Sequence, residues 1–412
     1  MNQESLRAAV LRAHGARGAE VDELLAYTRC TFTLPASSAV LASAASDEPF
    51  VAVWKRYAAE AAEIGVAECL RRRLVQLRFP IEAGMSATAA YRAATRKGEL
   101  DCASRSAGLA FESPAEIRIL VHPTAAGRVP VVICGARSDF VSLVRALVHR
   151  NEPVDVPDSM GACIVARYNN WDRIASLRAR WSREREKDRS AGCWTEEFRR
   201  MIPQTELYQD SFILLSSGPY SAVPAYAMGL DASEWLGLSL TIRLEHECAH
   251  YVTRRLLGSM RNSLIDELIA DYVGISAAAG RYRADWFLRF MGLESTQRYR
   301  RGGRLENYRG DPPLSDGAFT VLASLVRAAA AQLERFDSRR ARCPASGAVH
   351  QLGTIMAIGA LGLERVASAV GAELLLRLAE LPGSAGHLGS AGQLGSMERE
   401  MEQKGDVQMT PA

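Results

Sequence analysis

Five residues, His246-Glu247-Cys248-Ala249-His250, limit what this chain can fold into more than any other feature of its sequence. Residues four apart on an α-helix share a face about 6 Å from one another, so His246 and His250 can offer two imidazole nitrogens to one tetrahedral ion. Glu247 sits about 100° further round the helix, too far to share that ion comfortably but well placed to take a proton from a water bound there. The pattern therefore requires a helix, and it requires neighbours for two histidines set among apolar residues. Leu236, Leu240, Leu244, Cys248 and Val252 recur at helical spacing, and Ile242 adds a second apolar face, so the helix is expected to be mostly buried. Buried ionisable groups need a partner or a metal.

Gly258 offers a helix stop, and Ser263 with Asp266 three residues later resembles a capping box. The spacing predicts a second helix from about Leu264 to Ala279, carried by Leu264, Ile265, Leu268, Ile269, Tyr272, Val273 and Ile275. So short a connection implies an antiparallel hairpin. Glu267 and Asp271, again four apart, share a face of the second helix. Glu267 is favoured as third metal ligand, with Asp271 behind it, accepting the free ring N–H of a ligating histidine. Helix rise argues partly the other way, because a straight hairpin ending at Gly258 sets Asp271, not Glu267, level with His250.

The HExxH with a following ExxAD, at Glu267 to Asp271, resembles the gluzincin branch of zinc metallopeptidases over about residues 235 to 275. The resemblance implies zinc held by His246, His250 and Glu267, with Glu247 as general base and Asp271 in support. It also implies a proton-donating side chain for the oxyanion, for which His350, Tyr220, Tyr226 and Tyr272 are candidates. A metzincin is excluded, because Thr253 and Leu256 stand where that branch needs Gly and His.

The rest of the chain sets bounds. A formal charge of +3 with 24% charged residues gives no reason to expect a nucleic-acid partner or a membrane surface. The N-terminus lacks a secretory pattern, and the longest apolar stretch, Leu352 to Leu363, is too short to span a bilayer, so a cytoplasmic protein is expected. Eight cysteines form no CxxC pair, which favours free thiols, with Cys248 packing rather than ligating.

Four segments are expected: a mostly helical region 1–110, an α/β section 111–215, a helical catalytic region 216–381 and a Gly/Ser-rich disordered tail 382–412. Strands are predicted at 117–122, 129–134, 162–168 and 211–215, with a helix at 140–148. The fold class is α+β, predominantly helical, with a zincin-like active-site hairpin beside a small sheet whose edge can pair with an extended peptide. The function expected is a zinc-dependent metallopeptidase acting on a peptide or protein substrate. The alternatives are a zinc-dependent enzyme acting on a small molecule, or a regulatory module with a zincin core.

Overall fold

The computed structural model describes residues 3–30, 32–33, 45–99, 108–188, 192–258, 263–295, 299–340 and 348–379. The predicted tail, with His387, lies outside them, as does the side chain of His350. The chain forms two compact units. One comprises Ser46–Pro123 and Gly127–Gly218, and the other joins Met1–Ala45, Thr124–Ala126 and Pro219–Ala412. The predicted helical region 1–110 is thus divided near residue 45, and the helices after that point share a core with the sheet.

Packing accounts for that division. The helix Phe50–Ile64 buries Phe50, Val51, Trp54, Tyr57 and Ala61 along one face, and such a face needs an apolar partner. The sheet supplies it: Trp54 packs on Phe212 with ring centroids 4.6 Å apart, in a core that includes Leu70, Val132, Phe140, Leu143 and Leu214. The strands are β1 (Arg118–Thr124), β2 (Gly127–Cys134), β3 (Ala162–Asn169) and β4 (Gln209–Ser216), in the order β1-β2-β4-β3. β2 and β4 are parallel, with Val131 opposite Ile213, and β3 runs antiparallel to β4, with Ala162 opposite Leu215. Seven of the eight residues of β2 are buried, as expected of a strand covered on both faces. Each predicted strand is present to within two residues at either end, and the predicted helix appears as Arg137–Leu147.

The other unit is helical. Its centre is the pair Ala232–Leu257, which carries the HExxH, and Leu264–Ala279, which begins and ends where the sequence pattern places it. Asp231 caps the first helix by accepting from the Glu234 amide at 2.9 Å, and Gly258 ends it in the left-handed conformation. The expected capping box does not form, since the Ser263 side chain caps nothing. The leucine stripe is also placed differently from expectation. The buried face runs through Trp235, Ser239, Ile242, His246, Ala249, His250 and Thr253, whereas Leu236 is exposed and Leu240 and Leu244 are half-buried.

The two helices lie in close contact at Gly274, where an added Cβ would lie 2.6 Å from the Ile242 carbonyl oxygen. The obstacle is backbone one turn before His246 and cannot swing aside. Gly274→Ala is therefore expected to destabilise this unit by about 1–3 kcal/mol, despite the better helix propensity of alanine. Urea unfolding followed by tryptophan fluorescence would register the loss.

The N-terminal helices Gln3–Ala13 and Ala19–Tyr27 belong to this same unit. Arg7 Nε donates to Glu364 Oε1 at 2.7 Å, and the Tyr27 hydroxyl donates to the Tyr308 carbonyl. The C-terminal part of the region expected to be helical holds Asp316–Arg340, Ala348–Ala367 and Gly371–Ala379. Among the described residues no helix is long and apolar enough to cross a membrane. Cys30, Cys69, Cys134, Cys163, Cys193 and Cys248 are free thiols.

Candidate metal centre

The helical pair brings His246, His250 and Glu267 together, all buried, with one potential donor atom from each within 4.8 Å of the others. The two Nε2 atoms are 3.0 Å apart, and the Glu267 carboxylate oxygens lie 3.5 Å from His246 Nε2 and 3.6 Å from His250 Nε2. Four bonds of 2.0–2.1 Å at tetrahedral angles would separate donor atoms by about 3.3 Å. The group can therefore hold a metal ion with little adjustment.

The far side of each ring explains the near side. His246 Nδ1 lies 3.0 Å from Asp271 Oδ1, and His250 Nδ1 lies 2.9 Å from Asp266 Oδ2. A carboxylate accepts only from a ring nitrogen that carries its proton, so each Nδ1 is fixed as the donor and both Nε2 lone pairs face inward. Two lone pairs and a carboxylate meeting in a buried space repel one another unless a cation or a proton lies between them.

The proton alternative has a measurable signature. Burial disfavours charge on His250, yet the hydrogen bond to Asp266 and the negative charges of Asp266, Glu267 and Glu247 outweigh it and push its pKa up to about 10. A pKa raised in this way means that the metal-free protein keeps the proton at neutral pH, and that the stability it contributes is lost as pH rises through about 10. An incoming metal must displace that proton. Titration calorimetry at pH 7 in buffers of different ionisation enthalpy is expected to show about one proton released per ion bound. No release would mean that His250 is neutral beforehand.

Asp271 is the more elaborately held carboxylate. Burial would raise its pKa, but the Arg304 guanidinium, His246 and the Tyr220 hydroxyl together bring it down to about 2. Tyr220 donates to Asp271 Oδ1 at 2.6 Å, Arg304 Nη1 donates to the Tyr220 oxygen at 2.8 Å, and Arg304 Nη2 donates to Asp271 Oδ2. Arg304 Nη2 also lies 3.9 Å from Glu267 Oε2, and the Tyr308 hydroxyl hydrogen-bonds Glu267. Arg304 and Tyr308 begin and end one short 3-10 helix, Arg304–Tyr308. Neither was singled out in the sequence, which offers no spacing rule for two side chains that come 25 and 29 residues after the hairpin ends at Ala279. Asp266, read there as a cap, is the partner of His250.

Among the oxyanion candidates, Tyr220 is hydrogen-bonded on the Nδ1 side of His246, away from the converging lone pairs. Tyr272 donates to Asp337 Oδ1 at 2.7 Å, and Tyr226 is 85% exposed. Tyr220 opens a short 3-10 turn, Tyr220–Ala222, and reaches the site as a buried side chain. Strain accompanies it: Ser221 and Ala222 adopt φ of 51° and 55°, uncommon for residues with a Cβ. Glu247 is half-buried on the motif helix, close enough for its charge to act on His250. Burial, with the charges of Glu245 and Glu247, holds the Cys248 thiol protonated, which suits packing and not ligation.

The chain belongs to a family of unknown function (DUF7005), whose model matches residues 9–370. The match contains every residue of the site. No curated protein and no solved structure matches the chain.

Proposed function

We propose that this member of the family is a zinc-dependent hydrolase of peptide bonds, with a gluzincin-like centre at His246, His250 and Glu267. One observation carries the reading. Both Nε2 lone pairs converge with the Glu267 carboxylate at 3.0–3.6 Å while each Nδ1 is held by a carboxylate of its own, an arrangement that keeps both rings ready to ligate. When bound, zinc would supply a Lewis acid for the scissile carbonyl and lower the pKa of a water to about 7.

The chain's own groups supply the remainder. Glu247 accepts the proton of the attacking water on its carboxylate and passes it to the leaving amine. Asp271 and Asp266 fix the tautomer of the ligands. Arg304 keeps Asp271 ionised, and Tyr308 steadies Glu267 through its hydroxyl. His246, His250 and Glu267 would hold the ion with three protein side chains, a ligand number that would let it activate a water for hydrolysis.

The test is elemental analysis of the purified full chain beside His246→Ala. About one zinc per chain, absent from the variant, is expected. Equal metal in the two proteins would remove the basis of the proposal. A zinc-bearing protein that cleaved nothing in a quenched-fluorescence peptide library would retain the metal centre and reject peptide hydrolysis.

A further inference from the structure

A short 3-10 helix has poorly aligned hydrogen bonds and cannot hold its own direction, so its neighbours must fix it. Arg304–Tyr308 is such an element, of five residues, and each of its ends sends a side chain to the metal centre: Arg304 to Asp271 and Tyr308 to Glu267. Its beginning is wedged at Gly303, where an added Cβ would lie 2.6 Å from the Met291 carbonyl oxygen. The Tyr299 hydroxyl also donates to the Gly303 carbonyl, at 2.6 Å. The end at Tyr308 is held by a distant part of the chain.

That hold comes from the helix Ala19–Tyr27. Its residues Glu20, Glu23 and Tyr27 follow one another at steps of three and four, so they share a face, and all three meet the stretch from Tyr308 to Gly317. The Glu20 carboxylate lies over Gly317 and leaves no room there for a side chain. The Glu23 carboxylate accepts from the Ser315 amide at 2.6 Å and from the Ser315 hydroxyl at 2.7 Å. Tyr27 sets its ring beside Gly310, 3.3 Å from where an added Cβ would stand, and donates its hydroxyl to the Tyr308 carbonyl. Carbonyls in the last turn of a helix have no partner within it, so a donor from outside fixes the backbone there. Fixing that carbonyl fixes the residue whose hydroxyl reaches Glu267.

We infer that Tyr27 is a positioning residue for the metal centre: by holding the Tyr308 carbonyl it sets how firmly Glu267 presents its carboxylate to the ion. The inference rests on the zinc reading of the site and adds to it that the helix Ala19–Tyr27 controls the affinity. Displacing that helix weakens metal binding without altering a ligand.

Zinc affinity, measured by chelator competition on the full-length chain, tests this in wild type, Tyr27→Phe, Tyr308→Phe and the double variant. Phenylalanine keeps each ring and deletes only the hydroxyl. Tyr308→Phe is expected to weaken zinc binding about tenfold or more, as loss of a group supporting a ligand does. Tyr27→Phe is expected to weaken it about three- to tenfold, the range of one lost hydrogen bond. In the Tyr308→Phe background it should add nothing, because the hydroxyl through which it acts is already gone. Glu23→Gln repeats the cycle with a milder change and the same direction of effect. Urea unfolding of the metal-free proteins reports stability separately, so a purely structural Tyr27 would lower that stability and leave zinc affinity where it was. Wild-type affinity in Tyr27→Phe or in Tyr308→Phe, or losses that multiply in the double variant, would overturn the inference and leave the metal centre in place. A wild-type chain that takes up no zinc would overturn both. The expected pattern in a protein that cleaves no peptide would support the positioning role and reject peptide hydrolysis alone.

Discussion

Glu247→Gln is expected to leave zinc content and folding close to wild type while lowering turnover of any cleaved peptide by about 10² to 10⁴. Glutamine keeps the volume of the side chain and its hydrogen-bonding reach but cannot take a proton from water. The three proposed ligands are untouched by the change. Glu247 is half-buried and belongs to none of the hydrogen bonds that hold His246, His250 or Glu267, so losing its charge should not loosen them. Parallel measurement of metal content and kcat separates the outcomes. Loss of zinc would make Glu247 a structural residue or a ligand, and undiminished turnover would remove it from the mechanism.

A second pair of substitutions should diverge along two axes. Glu267→Ala removes a proposed ligand, so zinc affinity is expected to fall by well over 100-fold, the upper end of what loss of a supporting residue costs. Asp271→Asn is expected to lower affinity by only about 10- to 100-fold and to cost more in folding. Asp271 is the buried partner of Arg304, and removing one member of a buried pair strands the other at roughly 3–5 kcal/mol. Chelator competition would rank the two variants one way and urea unfolding of the metal-free proteins the other. The same ranking in both experiments would mean that the roles of the two carboxylates are not distinct.

Much of this site was legible in the chain because its main parts are local. Helical periodicity fixed the faces of His246, His250, Glu267 and Asp271, and Ser263 and Gly258 bounded the helices correctly. Where the reading went astray, a contact had to be known first. Leu236, Leu240 and Leu244 have the period of a core stripe, but periodicity identifies a face without saying which face is covered, and here the histidine face is the buried one. Asp266 has the position of a cap, yet a carboxylate in the first turn also lies where an antiparallel partner can reach it, and His250 does so. Arg304 and Tyr308 carried no signal, since a short 3-10 helix has too few residues to show a period. The sheet was foreseen from its β-branched runs. The division of region 1–110, whose first forty-five residues join the hairpin while the following helices join the sheet, was not, because strand patterns say nothing about which helices a sheet will pack against.

The tie between Tyr27 and the Tyr308 carbonyl has a consequence for synthesis. The sheet-bearing unit is almost continuous in sequence and can fold soon after it leaves the ribosome. The first forty-five residues cannot complete their own unit at that time, because their partners lie beyond residue 219. At about 5–20 residues per second, the 173 residues of 46–218 alone take roughly 10–35 s to make. The two N-terminal helices can pack on each other in that interval, but their other partners are not yet made. Their early docking on the wrong unit would leave Tyr308 without its anchor and Glu267 without its steadying hydroxyl.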